Sequence, residues 1–248
     1  MILRAFIFSC LFTIFIFFVY GFVLHLSVQP VQAVAALHPF GSTPYNATMS
    51  VWLERYWNWS LSMPNQTSPR LDATGNNCGV NQNGPVWFLD PPVGQGKIVG
   101  TNTCNIPEGK TIFIPLIVAE CGYNVDVDVK TVQKITECAQ VGNNGGNIHL
   151  YVDGKELLFV KNTGTKDYES STRMLSDVFK AYSVKNNILG DPEGFDTKIA
   201  DGYFAMLEPL PVGNHTIKLD VQVIPIPYDF HTTMTYNLKI GGNSTIQS

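Results

Sequence analysis

The sequence predicts a mainly all-β fold, an antiparallel β-sandwich or jelly roll, with one short Trp-rich helix near the N-terminus packed on it. Three observations carry this. Two apolar runs rich in β-branched and aromatic residues, Val86 to Leu89 and Thr111 to Ala119, are bounded by Gly, Pro or charged residues. Several segments in the second half alternate apolar and polar residues with a period of two. Four cysteines, Cys78, Cys104, Cys121 and Cys138, flank or follow the two central runs, as in a cystine-tied sheet core.

In chain order, the first element is a leader. Arg4 is the only charge in the first 36 residues, and Ala5 to Val28 is almost wholly apolar. That run is long for a signal peptide and about long enough to span a bilayer. Small residues at Ala33, Ala35 and Ala36 resemble a cleavage site. Residues 1–36 are therefore either a cleaved signal peptide or a membrane anchor through residues 5–28, and both place the domain formed by residues 37–248 outside the cell.

Met49 to Met63 reads as a helix, with Thr48 or Ser50 as its cap and Pro64 as its stop. Trp52, Tyr56, Trp59 and Met63 share one face, suited either to a sheet surface or to sugar stacking. A polar, turn-rich stretch follows to Asn83, then the central strands, with a Gly-rich turn between them. Pro115 inside the second run implies a bulge or an edge position. Asp126 and Asp128 alternate with valines as on a half-exposed strand, and Gly142 to Gly146 reads as a flexible loop.

Asn147 to Val160 is a hairpin turning on Asp153-Gly154. A strand is expected near Ser170 to Met174, then a short helix over Leu175 to Tyr182. Ile199 to Glu208 is a strand apolar on both faces. Ile217, Leu219, Val221 and Val223 alternate with Lys218, Asp220 and Gln222. The P-I-P-Y segment turns the chain, and Met234, Tyr236, Leu238 and Ile240 alternate again.

Composition narrows the function. Without Arg4, fifteen Lys and Arg stand against twenty Asp and Glu, a net charge of −5 with no basic run. Nucleic-acid binding is excluded on that ground. Five sequons, at Asn46, Asn58, Asn65, Asn214 and Asn243, offer glycosylation sites on an exported chain. Four cysteines outside the leader imply two disulfides rather than a zinc site, since no C-x-x-C pair is present. Three pairings are possible. Joining sequence neighbours through short loops gives Cys78–Cys104 and Cys121–Cys138, each stabilising by about 2–4 kcal/mol.

G-P-V-W-F-L (Gly84 to Leu89), C-x-I-P-x-G-K (Cys104 to Lys110) and D-G-Y-x-x-x-L-x-P-L-x-x-G-x-H-x-I (Asp201 to Ile217) occur in that order. With the Trp-rich helix and the T-G-x-x-C entry, the chain resembles a family of uncharacterised secreted prokaryotic proteins over most of residues 50–240. The resemblance implies export, a sandwich fold and the neighbour-to-neighbour order of cystines. It implies no activity. The family pattern often carries a basic residue two positions before the second cysteine; this chain has Asn102, so no role of that residue transfers.

Chemistry is then weighed on residues alone. Asp72, Asp90, Glu108 and Glu120 flank the central strands and offer carboxylate pairs of the kind a polysaccharide hydrolase uses. Neither G-x-S-x-G, H-E-x-x-H nor a phosphate loop occurs. His38, His149, His215 and His231 would bind copper or zinc if they converged. Asp191, Glu193 and Asp196 in D-P-E-G-F-D offer oxygen ligands for Ca²⁺. The reading that fits best is a non-catalytic cell-envelope or extracellular module binding a glycan or an envelope protein, with hydrolase and metal-binding alternatives.

Overall fold

The computed structural model describes residues 34–92, 96–128, 130–141, 146–162, 172–223 and 230–241. The leader to residue 33, the Asn243 sequon, the loop at 142–145, the start of the strand expected at Ser170 and the P-I-P-Y segment lie outside the described residues. Among the described residues, no helix is long and apolar enough to cross a membrane.

Among the described residues, ten strands form two five-stranded sheets. The first sheet holds β1 (Val86–Phe88), β3 (Thr111–Gly122), β8 (Gly194–Leu207) and β6 (Arg173–Leu175) in that order, with β7 (Phe179–Ser183) also paired to β8. The second runs β2 (Gly96–Ile106), β10 (Phe230–Ile240), β9 (Gly213–Val223), β4 (Gly146–Val152) and β5 (Lys155–Asn162). The fold is the expected mainly β sandwich. Two pairings, β1 with β3 and β10 with β2, are nevertheless parallel.

Between the sheets lies the main core. Trp87, Ile112, Ile114, Tyr203, Ala205 and Leu207 meet Ile148, Leu150, Ile217, Leu219, Val221, Met234 and Leu238. Alternation sends Val86 and Phe88 the other way, where they join Phe113, Phe204 and Met206 beneath α1 (Met49–Leu61). Thr48 caps α1 by accepting from the Val51 amide at 3.3 Å. Trp52, Tyr56, Trp59 and Met63 are all buried, so the aromatic face of the helix is core rather than a sugar platform. Tyr56 stacks on Phe113, and Phe113 on Phe204.

Pro115 sits past the end of the β1 pairing and within a register shift of β3 against β8 between Pro115 and Ile117. Here a prolyl residue removes no ladder bond. Gly202 faces this bulge: a Cβ there would come within 2.2 Å of the Ile117 carbonyl oxygen. The Asp153-Gly154 turn has positive φ at both residues, 50° and 78°, as a two-residue hairpin of primed type requires.

Three local expectations are corrected. Gly96–Ile106 is a full strand, not a turn, because an eleven-residue register with β10 outweighs its glycines. Asp126 and Asp128 lie in a turn and bend rather than on a half-exposed strand, and the chain then forms a helix, α2 (Val132–Val141). Ile135 and Ala139 fall one helical turn apart, both buried, and pack on Cys121 and Ile199. Residues 179–183 are strand β7, not helix, because Phe179 and Ala181 alternate inward under α1.

The two disulfides are Cys78–Cys104 and Cys121–Cys138, with Cα separations of 5.7 and 6.0 Å. The first ties the turn-rich stretch to β2, the second ties α2 to β3. Two such bonds suit an oxidising, extracytoplasmic compartment.

Candidate functional site: the open face of the second sheet

Charged residues of the first sheet and its flanks are buried in pairs. Arg70 meets Asp90 at 2.9 Å, with Tyr56 accepting from Arg70 and donating to Asp90. Arg173 meets Asp201 at 2.7 Å, both side chains fully buried. Lys198 Nζ lies 3.0 Å from Glu120, 2.8 Å from Asp191 and 3.9 Å from Asp196. Burial pushes the Glu120 carboxyl up to about 7 against the opposing pull of Lys198.

These contacts place the acids singled out from sequence. Asp90 and Glu120 are not solvated at strand ends; each answers a buried cation. They are also apart along β3: continuing the β1 register puts Asp90 level with Pro115, five residues before Glu120. Asp72 organises its own loop, accepting from the Thr74 hydroxyl and the Thr74 and Asn77 amides; these bonds outweigh partial burial and hold its carboxyl below the usual range. Glu108 is exposed in the turn between β2 and β3. Three of the four, Asp72, Asp90 and Glu120, are thus engaged by partners of their own.

The D-P-E-G-F-D acids weighed as Ca²⁺ ligands each have a partner within the protein. Asp191 and Asp196 converge on the Lys198 ammonium, which occupies the position a cation would need. Glu193 turns away and accepts from the Tyr182 hydroxyl. Among the described residues, no group of three or more His, Cys, Asp or Glu side chains is placed to hold a metal. His38 stands apart, bonded to Thr111.

The second sheet is built differently. Both helices pack on the first sheet, so among the described residues no helix covers the outward side of β2–β10–β9–β4–β5. Strand register therefore decides what this face shows. One cross-strand row is Val99, Thr233, Asp220, His149 and Phe159; the next begins Thr101, Thr235, Lys218 and Tyr151. Below it come Thr103, Asn237 and Thr216, then Asn105, Lys239 and Asn214.

Aromatic side chains gather on the β4–β5 side. The His149 ring stacks on Phe159 at 4.6 Å between centroids and lies parallel to Tyr151 at 6.1 Å. Phe159 is 54% exposed, unusual for a phenyl ring on a sheet face. The Lys218 ammonium lies 5.8 Å from the Tyr151 ring centre. Each acid of this side of the sheet meets a histidine: Glu156 with His149 at 2.6 Å, Asp220 with His231 at 2.6 Å, Asp153 with His215 at 2.7 Å. The bond from His149 holds the Glu156 carboxyl below the usual range.

The three histidines weighed as metal ligands thus lie on one sheet but are spread along it in separate carboxylate pairs. Strand alternation puts His149 and His231 on the polar phase of β4 and β10, and that is where they stand. It did not single out Phe159, Tyr151 or the outward residues of β2. For β4, β5, β9 and β10 the alternation carried the signal; for β2 the flanking glycines obscured it.

At one end of this face is a depression of about 450 Å³ lined by Thr103, Asn105, Asp153, Asn214, His215, Asn237 and Lys239, among others. A second cavity, beside Asp90, Asn102 and Tyr236, measures about 10 Å³ and is too small for any solute larger than water.

No protein-family model and no curated protein matches the chain. Two solved structures are similar to it. The structure of PbICP-C in complex with falcipain-2 shares 12% identity, covering 63% of this chain and 99% of that one, with a TM-score of 0.25. The cysteine protease inhibitor EhICP2 from Entamoeba histolytica shares 16%, covering 59% and 99%, with a TM-score of 0.19. At such TM-scores neither likeness carries an argument about function, and the sandwich rests on the strand pairing itself.

Proposed function

We propose that this chain is an exported, non-catalytic binding module that takes a glycan on the open face of its second sheet. The observation that carries the reading is the contrast in cover. An apolar aromatic surface is sealed under α1 on one sheet, while the other presents Phe159, His149 and Tyr151 beside rows of Thr, Asn and Lys. Exposed rings flanked by amides and hydroxyls suit sugars, whose apolar ring faces stack and whose hydroxyls both donate and accept. The leader, the cystines and the sequons support export, either as a secreted protein or as one anchored through residues 5–28. Asn46, Asn58, Asn65 and Asn214 are all exposed, so each is open to modification.

Affinity electrophoresis of the secreted chain through gels containing extracellular polysaccharides tests this. At least one polysaccharide should retard the wild type, and Phe159→Ala or Tyr151→Ala should restore free mobility without lowering the melting temperature. Equal retardation of wild type and both variants, or none by any polysaccharide, overturns the assignment.

A further inference from the structure

The depression at the end of the open face differs from the aromatic side in its chemistry. Its floor is two cross-strand rows, Thr103–Asn237–Thr216 and Asn105–Lys239–Asn214. Neighbouring strands stand about 4.8 Å apart and same-face residues about 6.7 Å apart along a strand, so the rows form a grid on the scale of one pyranose ring. Beneath the grid, Leu238 and the Cys104 half of a disulfide are buried, which fixes the strands that carry it. Gly75 lets the 72–78 loop lie directly on β2, since a Cβ there would come 2.2 Å from the Thr103 carbonyl oxygen.

Asp153 and His215 form a wall and have their bonding groups engaged. Asp153 accepts from the Thr216 amide at 2.8 Å and meets His215 Nδ1 at 2.7 Å, while His215 Nε2 donates to the Pro211 carbonyl at 2.9 Å. By contrast the side chains of Asn105, Asn214, Asn237 and Lys239 make no hydrogen bond or ion pair with any described residue. Among the described residues, Lys239 is the only Lys or Arg lining the depression, and the one carboxylate there is the engaged Asp153. The uncommitted chemistry is thus one cation set among three amides.

Resting on the glycan reading, we infer that this depression is a subsite for one carboxylate-bearing sugar, a uronate unit of an acidic polysaccharide. The Asn side chains donate through nitrogen and accept through oxygen, which matches neighbouring sugar hydroxyls. Lys239 supplies the charge-assisted bond to the carboxylate. A phosphate group fits less well: it only accepts, so it uses the Asn nitrogens and leaves the Asn oxygens without a partner. Asn214 is itself a sequon residue, so a glycan attached there fills the subsite that a free uronate would enter.

The test is titration calorimetry of the full exported chain, with intact mass confirming that Asn214 is unmodified. The probes are a galacturonate oligomer and its carboxyl-reduced counterpart. Wild type should bind the acid at least about tenfold more tightly, the contribution of a hydrogen bond to a charged partner. Lys239→Met should bring that ratio to about one with an unchanged melting temperature, and Lys239→Arg should keep most of it. Equal affinity of wild type for the two oligomers, or a preference that survives Lys239→Met, overturns the subsite. If it fails while neutral polysaccharide still retards the chain through Phe159, the glycan reading stands alone; if no glycan binds at all, both fall.

Discussion

The two sheets of this sandwich share a core and differ in everything beyond it. On the first sheet, Val86, Phe88, Phe113, Phe204 and Met206 point outward and are covered by the rings of α1. Its charges follow the same rule: Arg70, Arg173 and Lys198 are buried, and each is matched by a carboxylate. On the second sheet the outward residues are mostly Thr, Asn, Lys and His, with Val99, Tyr151 and Phe159 among them, and its acids meet histidines at the surface. The difference teaches where each sheet's side chains are constrained. The first is constrained on both sides by packing. Among the described residues, the second is constrained on its inner side alone.

The largest effect that would break this contrast is at Phe113, fully buried between Tyr56 and Phe204. Phe113→Ala should cost about 3–5 kcal/mol through lost transfer energy and a residual cavity. Trp87→Ala, on the side facing the second sheet, should cost the same. Urea unfolding measures both, and a Phe113→Ala midpoint close to wild type would show that α1 does not seal this sheet.

Next comes the Lys198 cluster. Glu120 has its carboxyl raised to about 7 from 4.5, first by burial, with Lys198 opposing. Between those values the folded chain holds a proton that the unfolded chain has released. The stability this contributes is complete below pH 4.5 and is lost as pH rises through 7, an effect of up to roughly 3 kcal/mol. Glu120→Gln cannot ionise and should flatten the decline. A wild-type unfolding free energy that changes from pH 5 to 7.5 by as much as that of Glu120→Gln would remove Glu120 as the source of the decline.

The Cys121–Cys138 bond follows. It closes a separation of 17 residues and anchors α2 to β3. Replacing both cysteines by serine should cost about 3 kcal/mol. Cys138 is only partly buried, so most of that loss should appear as a looser α2, with faster amide exchange at Ile135 and Ala139 than in β9.

Which parts of this were legible in the sequence follows from what each residue answers to. Strand alternation is local, so β4, β9 and β10 could be read directly. The α1 rings could be placed on one face but not assigned to core or ligand, because that depends on what lies opposite. Partners distant in sequence were illegible. Asp90 and Arg70 meet across a turn, and Glu120 meets Lys198 over 78 positions, so acids at strand ends read as solvated. The strand β2 hid behind Gly96 and Gly100 because its pairing with β10, more than 120 residues later, is what makes it a strand. The site shared that fate. Asn105, Lys239 and Asn214 form a row only once three strands lie side by side.

The smallest expected effect sharpens the contrast most. Phe159 belongs to the same residue type as Phe113 but lies on the open side, about half exposed and stacked on His149. A ring already half in water has little transfer energy to lose, and no closed cavity forms when it is removed. Phe159→Ala should therefore cost about 1 kcal/mol or less in urea unfolding, several-fold below Phe113→Ala, while abolishing retardation by a polysaccharide that binds the wild type. Thr235→Ala, outward on β10 and away from the rings, should change stability by about 0.5 kcal/mol at most. The two Phe variants thus separate folding from recognition within one residue type. A Phe159→Ala chain as destabilised as Phe113→Ala would mean that Phe159 is held by packing on the protein itself, and the second sheet would then be covered as the first is.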